Sequence, residues 1–222
     1  MLARLKKEFR ENTILVETFG VFIVIAFVLL AGEFTVFAVQ QRMGIDQIPF
    51  HYPKTFLDNL VPFVPQFAWP YWSYYAFLGV SIWLPRNRSD LARLATGHLL
   101  IHLSGFVIFL LYPTAIIHPA LHCHSLSCDM VGTLYMLDPG YGVFPSLHVA
   151  ATTYVILTCF QFQFRWRWLV AIYGVSIMLA TVFIKQHYVI DVPAGILFGL
   201  GLGRGSWYIA DWLSAKRVLA RA

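Results

Sequence analysis

Six apolar runs, at about 14–39, 67–84, 94–117, 149–164, 168–184 and 189–212, constrain this 222-residue chain more than any other feature. Most approach the ~20 residues an α-helix needs to cross the hydrocarbon layer. The fourth and fifth are short and are expected to begin or end within the interface. The chain is 59% hydrophobic and only 12% charged, against roughly 25% charged residues in a soluble domain. A chain of this length cannot enclose so much apolar surface in one water-soluble core. The expectation is a single all-α domain over residues 1–222, an integral membrane bundle of six transmembrane helices. The first run is too long for a removable signal peptide and lacks a small-residue cleavage site, so it is expected to remain as the first helix.

The formal charge of +5 is a topology signal rather than a nucleic-acid footprint, because the cations sit in short clusters between apolar runs. Arg4, Lys6, Lys7 and Arg10 precede the first run; Arg86, Arg88 and Arg93 follow the second. Arg165 and Arg167 separate the fourth and fifth, and Arg204, Lys216, Arg217 and Arg221 close the sixth. Of the 16 Lys and Arg residues, only Arg42, Lys54 and Lys185 fall on the other side. The positive-inside rule therefore predicts that both termini are cytoplasmic and that segment 112–148, which has no Lys or Arg, faces out. Pro49, Pro53, Pro62 and Pro65 make segment 40–66 a re-entrant or interfacial piece. Trp69, Tyr71, Trp72, Tyr74 and Tyr75 read as an aromatic anchor at the interface.

Two short motifs carry chemistry: Pro145-Ser146-Leu147-His148 entering the fourth run, and His187-Tyr188-Val189-Ile190-Asp191 entering the sixth. Both lie on the outer side, and ionisable groups at a membrane boundary are functional by default. His187 and Asp191 are spaced i, i+4 and share a helix face, so the carboxylate can hold one imidazole nitrogen and leave the other as a nucleophile. His148 can protonate a departing oxygen and later activate water or an alcohol. Ser146, Lys185 and the backbone N–H groups after Pro145 are candidate donors to phosphate oxygens. The competing readings are helix capping for Ser146 and interfacial snorkelling for Lys185.

These motifs resemble the type 2 phosphatidic acid phosphatase superfamily, whose hallmarks are P-S-x-H followed by H-x3-D; the match is closest over 112–199. The resemblance implies a six-helix membrane protein with an outward site. In it, His187 would be the phosphorylated nucleophile, Asp191 its partner and His148 the acid/base. It further implies a metal-independent lipid phosphate phosphatase of the plasma (inner) membrane, its site facing the periplasm or exterior, with no cofactor. The partners would be a lipid phosphate substrate and the bilayer, with no nucleic acid. The usual K-x6-R-P motif is absent, with only Leu111-Tyr112-Pro113 in its place, and Ala180-Thr181 replaces the usual Ser-Arg pair. That pattern is similar to the inositol phosphorylceramide synthase branch and leaves Lys185 as the substitute for the missing arginine. A phosphotransferase and a non-catalytic lipid-phosphate transporter or binding protein are the alternatives.

The remaining polar residues have plainer readings. His122, Cys123, His124 and Cys128 include zinc-ligating types, but their crowding and an oxidising outer compartment favour a Cys123–Cys128 disulfide. His98, His102 and His118 are assigned to the third helix as packing residues or a proton path. Glu33 is an intramembrane acid by position whose partner the sequence does not name, and Asp138 either contacts substrate or solvates its loop. Gly195, Gly199, Gly201, Gly203 and Gly205 permit close helix packing, with a Gly199–Gly203 dimer face as the alternative.

Overall fold

The computed structural model describes residues 2–42, 44 and 48–219, and its described residues are helices and loops with no strand beyond two isolated bridges. Arg221 and the side chains of Arg4, Lys6, Lys7, Arg10, Glu33 and Arg217 lie outside what is described. The elements are α1 (Leu2–Arg42), α2 (Leu57–Leu60), α3 (Ala68–Trp72), α4 (Tyr74–Leu78), α5 (Arg88–Leu111), α6 (Leu126–Leu137), α7 (Leu147–Gln161), α8 (Arg167–Phe183) and α9 (Asp191–Leu219). Among these, α5, α7 and α9 pack on one another, α8 lies against α7, and α1 lies against α5. The core between them is aliphatic and aromatic, with Leu94, Ile101, Tyr154, Val155 and Ile177 fully enclosed.

Among the described residues, two helices are long and apolar enough to cross a membrane, α1 over Thr13–Val36 and α5. Both present large apolar side chains outward, Phe27 and Phe34 from α1 and Val107 and Leu111 from α5.

The sequence expectation of six continuous helices is corrected at the second run. Its path is broken into a 3-10 turn at Pro65–Phe67, α3, α4 and a second 3-10 turn at Gly79–Trp83. Ser73 stands between α3 and α4, and its hydroxyl donates to the Pro70 carbonyl there. The third run also ends earlier than expected. Pro113 disfavours helix at the preceding residue, so α5 stops at Leu111, and His118 falls in a loop instead of on the helix that carries His98 and His102.

The outer segment contains a helix the apolar runs did not announce. Ser125 caps α6 by accepting from Cys128 N, and the Cys123–Cys128 disulfide closes the turn before it. Val131 and Leu134 of α6 then bury against Ala68, Tyr71, Ala180 and Ile184.

The arginine-rich segments meet at one end of the bundle. Arg93 pairs with Asp211 of α9, Arg88 with Glu17 of α1, and Arg86 donates to the Phe162 carbonyl after α7. Exposed pairs of this kind contribute little stability each, but they tie four segments to a common end. The N-termini of α7 and α9, with Ser146 and Asp191, lie at the opposite end.

What brings those two N-termini together is glycine. A Cβ on Gly195 would meet the Ser146 carbonyl at 2.7 Å, and one on Gly199 would overlap the Ala150 backbone. Gly199 and Gly203 are thus occupied by α7 within the same chain, which removes the basis for a dimer face at that spacing.

Candidate active site

The loop before α7 is pinned by Thr114, whose hydroxyl accepts from Val143 N and Phe144 N while its carbonyl accepts from Gly142 N. Gly140 and Gly142 take left-handed φ values of 80° and 68°, and Asp138 Oδ1 accepts from Gly140 N, so the turn is tight and well braced. Its product is a Val143 carbonyl aimed at His187.

His187 is held on both nitrogens. Nδ1 lies 2.9 Å from the Val143 carbonyl oxygen and 3.3 Å from Asp191 Oδ2. A carbonyl oxygen can only accept, so Nδ1 carries the proton and the Nε2 lone pair is free to accept. That lone pair meets the Ser146 hydroxyl at 3.1 Å. Sequence reasoning gives the orienting task to Asp191 alone; the shorter contact belongs to a backbone carbonyl that no side-chain pattern announces. Asp191 Oδ2 also accepts from Tyr188 N, which locks the carboxylate at the first turn of α9.

Ser146 is fully buried and caps α7 by accepting from Val149 N while facing His187. The capping and site readings therefore apply to the same side chain. His148, one turn inside the helix, lies with its ring 6.0 Å from that of His187. It is sandwiched by Tyr71 at 4.7 Å and Tyr74 at 4.3 Å. Those two tyrosines are buried, so they are not the interfacial anchor expected of them, whereas Trp69, Trp72 and Tyr75 are exposed and fit that reading.

Lys185 is not brought to this centre. Its Nζ donates to the carbonyls of Asp58 and Val61, clamping the first outer loop to the end of α8. Burial lowers its pKa, and the nearby Asp58 carboxylate opposes that shift. The residue after it, Gln186, does not stand out in the sequence, yet it lines the cavity. The available signal is an amide wedged between an apolar helix and a histidine motif.

The cavity encloses about 520 Å³, within the range of small-molecule sites. His148, His187, Gln186, Tyr71 and Asp138 form its polar part, and Phe34, Phe106, Phe109 and Leu137 are among its apolar lining. A paired histidine, a second histidine across a gap and an apolar lining suit an amphiphile bearing a phosphate group.

A family model described as the PAP2 superfamily matches residues 35–203. The chain belongs to the PAP2 superfamily. Comparisons with curated proteins and with solved structures returned no match. The superfamily match runs from the second half of α1 into α9 and includes every residue of the histidine centre. Membership supports, at a coarse level, phosphatase- or phosphotransferase-type activity on lipid phosphates and association with a membrane.

Proposed function

We propose that this PAP2 superfamily protein hydrolyses a phosphomonoester or diphosphate of a membrane lipid through a phosphohistidine at His187. The observation that carries the reading is the hydrogen bonding of His187: Nδ1–H is held by Val143 and Asp191, which leaves Nε2 as the nucleophilic nitrogen. Attack of Nε2 on phosphorus forms the N–P bond as the bond to the lipid oxygen breaks. His148 gives its proton to that oxygen. Positive charge growing on the His187 ring is stabilised by the buried Asp191 carboxylate. The Ser146 hydroxyl, displaced from Nε2 by the phosphoryl group, turns its proton to an equatorial oxygen, and backbone N–H groups of the first turn of α7 add further donors. In the second half, neutral His148 takes a proton from water, which attacks phosphorus and frees His187.

The membrane placement is part of the same proposal: six crossings, the second of them broken, with both termini cytoplasmic and the site facing the periplasm or exterior of a plasma membrane. At 1.5 Å per residue, α7 and α8 span only about 22 and 25 Å, short of the ~30 Å hydrocarbon layer. With Arg165 and Arg167 at the inner interface, their outer ends stop below the outer surface. A lipid phosphate would reach the histidines from the side, its tail lying against Phe34 and Leu137.

The second reading is transfer to an alcohol, as in the inositol phosphorylceramide synthase branch. Ala180-Thr181 in place of the superfamily's Ser-Arg pair favours it. The test is phosphate release by detergent-purified protein from a panel of lipid phosphates, in EDTA, with and without alcohol acceptors. Release without acceptor supports the metal-independent phosphatase; turnover only with acceptor supports the transferase.

The hydrogen-bond geometry also sets the cost of Asp191→Asn. Where a carboxylate alone fixes a catalytic tautomer, its amide variant loses about 10⁴ in kcat. Here Val143 still holds Nδ1–H, so only the charge term is lost and kcat should fall about 10²-fold. A loss equal to that of His187→Ala, in steady-state assays of both, would contradict this division of labour.

A further inference from the structure

The first outer loop reaches the nucleophile's turn through Asp58, a residue outside both histidine motifs. Asp58 Oδ1 accepts from Val189 N at 2.7 Å, across 131 residues of chain. Its Oδ2 accepts from Thr55 N at 2.6 Å and from the Thr55 hydroxyl at 2.8 Å, so the carboxylate is braced from within its own loop. Lys185 Nζ donates to the Asp58 carbonyl at 3.2 Å, and Val64 N donates to the Phe183 carbonyl at 3.0 Å. The loop is therefore bound on both sides of His187, two residues before it at Lys185 and two after it at Val189.

The bond to Val189 falls where the turn that carries His187 becomes α9. A helix leaves its first N–H groups without partners of its own. Here Tyr188 N donates to Asp191 Oδ2 and Val189 N donates to Asp58 Oδ1, so two carboxylates share the start of α9, as the positive end of a helix favours. With Val189 N occupied from the outer loop, the Asp191 carboxylate serves Tyr188 N and His187 Nδ1 alone. Asp58 itself does not line the cavity. Any effect it has on the reaction passes through the turn.

We propose that Asp58 is a positioning residue for the nucleophile: by holding Val189 N it keeps the turn over residues 187–191, and with it the Asp191 carboxylate, in line with the Val143 carbonyl. Without Asp58 the Val189 N–H competes with His187 for Asp191, and the imidazole loses part of what fixes its proton on Nδ1. Misplacing a reacting group by about 1 Å costs up to about 10²-fold in rate. The proposal rests on the phosphoryl-transfer reading for the rate that is measured, but not for the state of the His187 ring.

The test compares wild type, Asp58→Ala and Asp58→Asn as full-length, detergent-purified proteins. Two quantities are read: steady-state turnover of a lipid phosphate, and the nitrogen NMR signals of the His187 ring in histidine-labelled protein, assigned by their loss in His187→Ala. Asp58→Ala should lower kcat about 30-fold with KM within about twofold, and its His187 ring should pass from the Nδ1–H form to a mixture of tautomers. Asp58→Asn, whose amide oxygen still accepts from Val189 N, should stay within about threefold of wild type and keep the Nδ1–H form. A loop tether with no positioning role would lower the melting temperature of Asp58→Ala and leave kcat and the ring unchanged; that result overturns the proposal. So does a change confined to KM, which would put Asp58 on the substrate, or an Asp58→Asn variant as slow as Asp58→Ala, which would assign the effect to charge. If Asp58→Ala does not fold, Thr55→Val removes only the hydroxyl brace on Oδ2 and carries the test: kcat should fall about fivefold at unchanged KM, and wild-type kcat overturns the proposal. An altered His187 ring in Asp58→Ala, with no turnover by wild type, keeps the positioning role and removes the phosphoryl-transfer reading. Turnover that needs His187 and ignores Asp58 does the reverse.

Discussion

His187→Ala is expected to lower lipid-phosphate turnover at least about a thousandfold, because a nucleophile that forms the covalent intermediate has no substitute. The rest of the centre should survive the change. Ser146 still caps α7, and Asp191 keeps its hydrogen bond from Tyr188 N. The variant should therefore melt close to wild type while its rate falls to background. Activity within tenfold of wild type, in protein shown to be folded, would remove His187 from the chemistry, whereas no turnover by folded wild-type protein would revive a transporter or binding protein built on the same fold.

The largest effect on stability is expected at Gly199. Its missing Cβ is where the backbone of Ala150 passes, so Gly199→Leu sets a side chain against main chain that has no rotamer to escape into. Overpacking of this kind costs about 3 kcal/mol, and it would part α7 from α9 at the level of the site. Two residues on, a Cβ added to Gly201 would meet nothing within 4 Å. Gly201→Ala should be neutral or stabilising, by up to about 1 kcal/mol, because alanine is the better helix former. Thermal unfolding in detergent separates the pair: Gly199→Leu should melt well below wild type and Gly201→Ala at or above it. Equal melting points would contradict the packing of α7 on α9.

The contrast between these two glycines also shows what a sequence can carry. Five glycines in the last apolar run announce close packing, but only the three-dimensional arrangement tells which of them meets a neighbour. The centre itself was more legible. Ser146, His148, His187 and Asp191 sit at fixed spacings on two helix starts, where the i, i+4 spacing pairs His187 with Asp191. Lys185, recommended by its charge and by the family's missing arginine, has a left-handed turn, with φ 58°, and a side chain that reaches the Asp58 and Val61 carbonyls, which no sequence pattern announces. Val143 could not be read at all, since its contribution is a carbonyl whose direction depends on Thr114, far off in the chain. Hydropathy found the longer apolar runs but not α6, whose 12 residues are apolar but too few to read as a crossing and are held by a cap and a disulfide. Nor could it see the break at Ser73, because a broken helical path has the same composition as a continuous one.

The central claim is the covalent intermediate on His187, and the most direct test is to trap it. Purified protein would be mixed with a lipid labelled in its phosphate, quenched in alkali within the first turnover, digested and mapped by mass spectrometry. The expected result is a phosphoryl group on the His187 imidazole, stable to base, lost in acid and absent from His187→Ala. Label on another residue, or turnover with no label on any residue at any time, would contradict it.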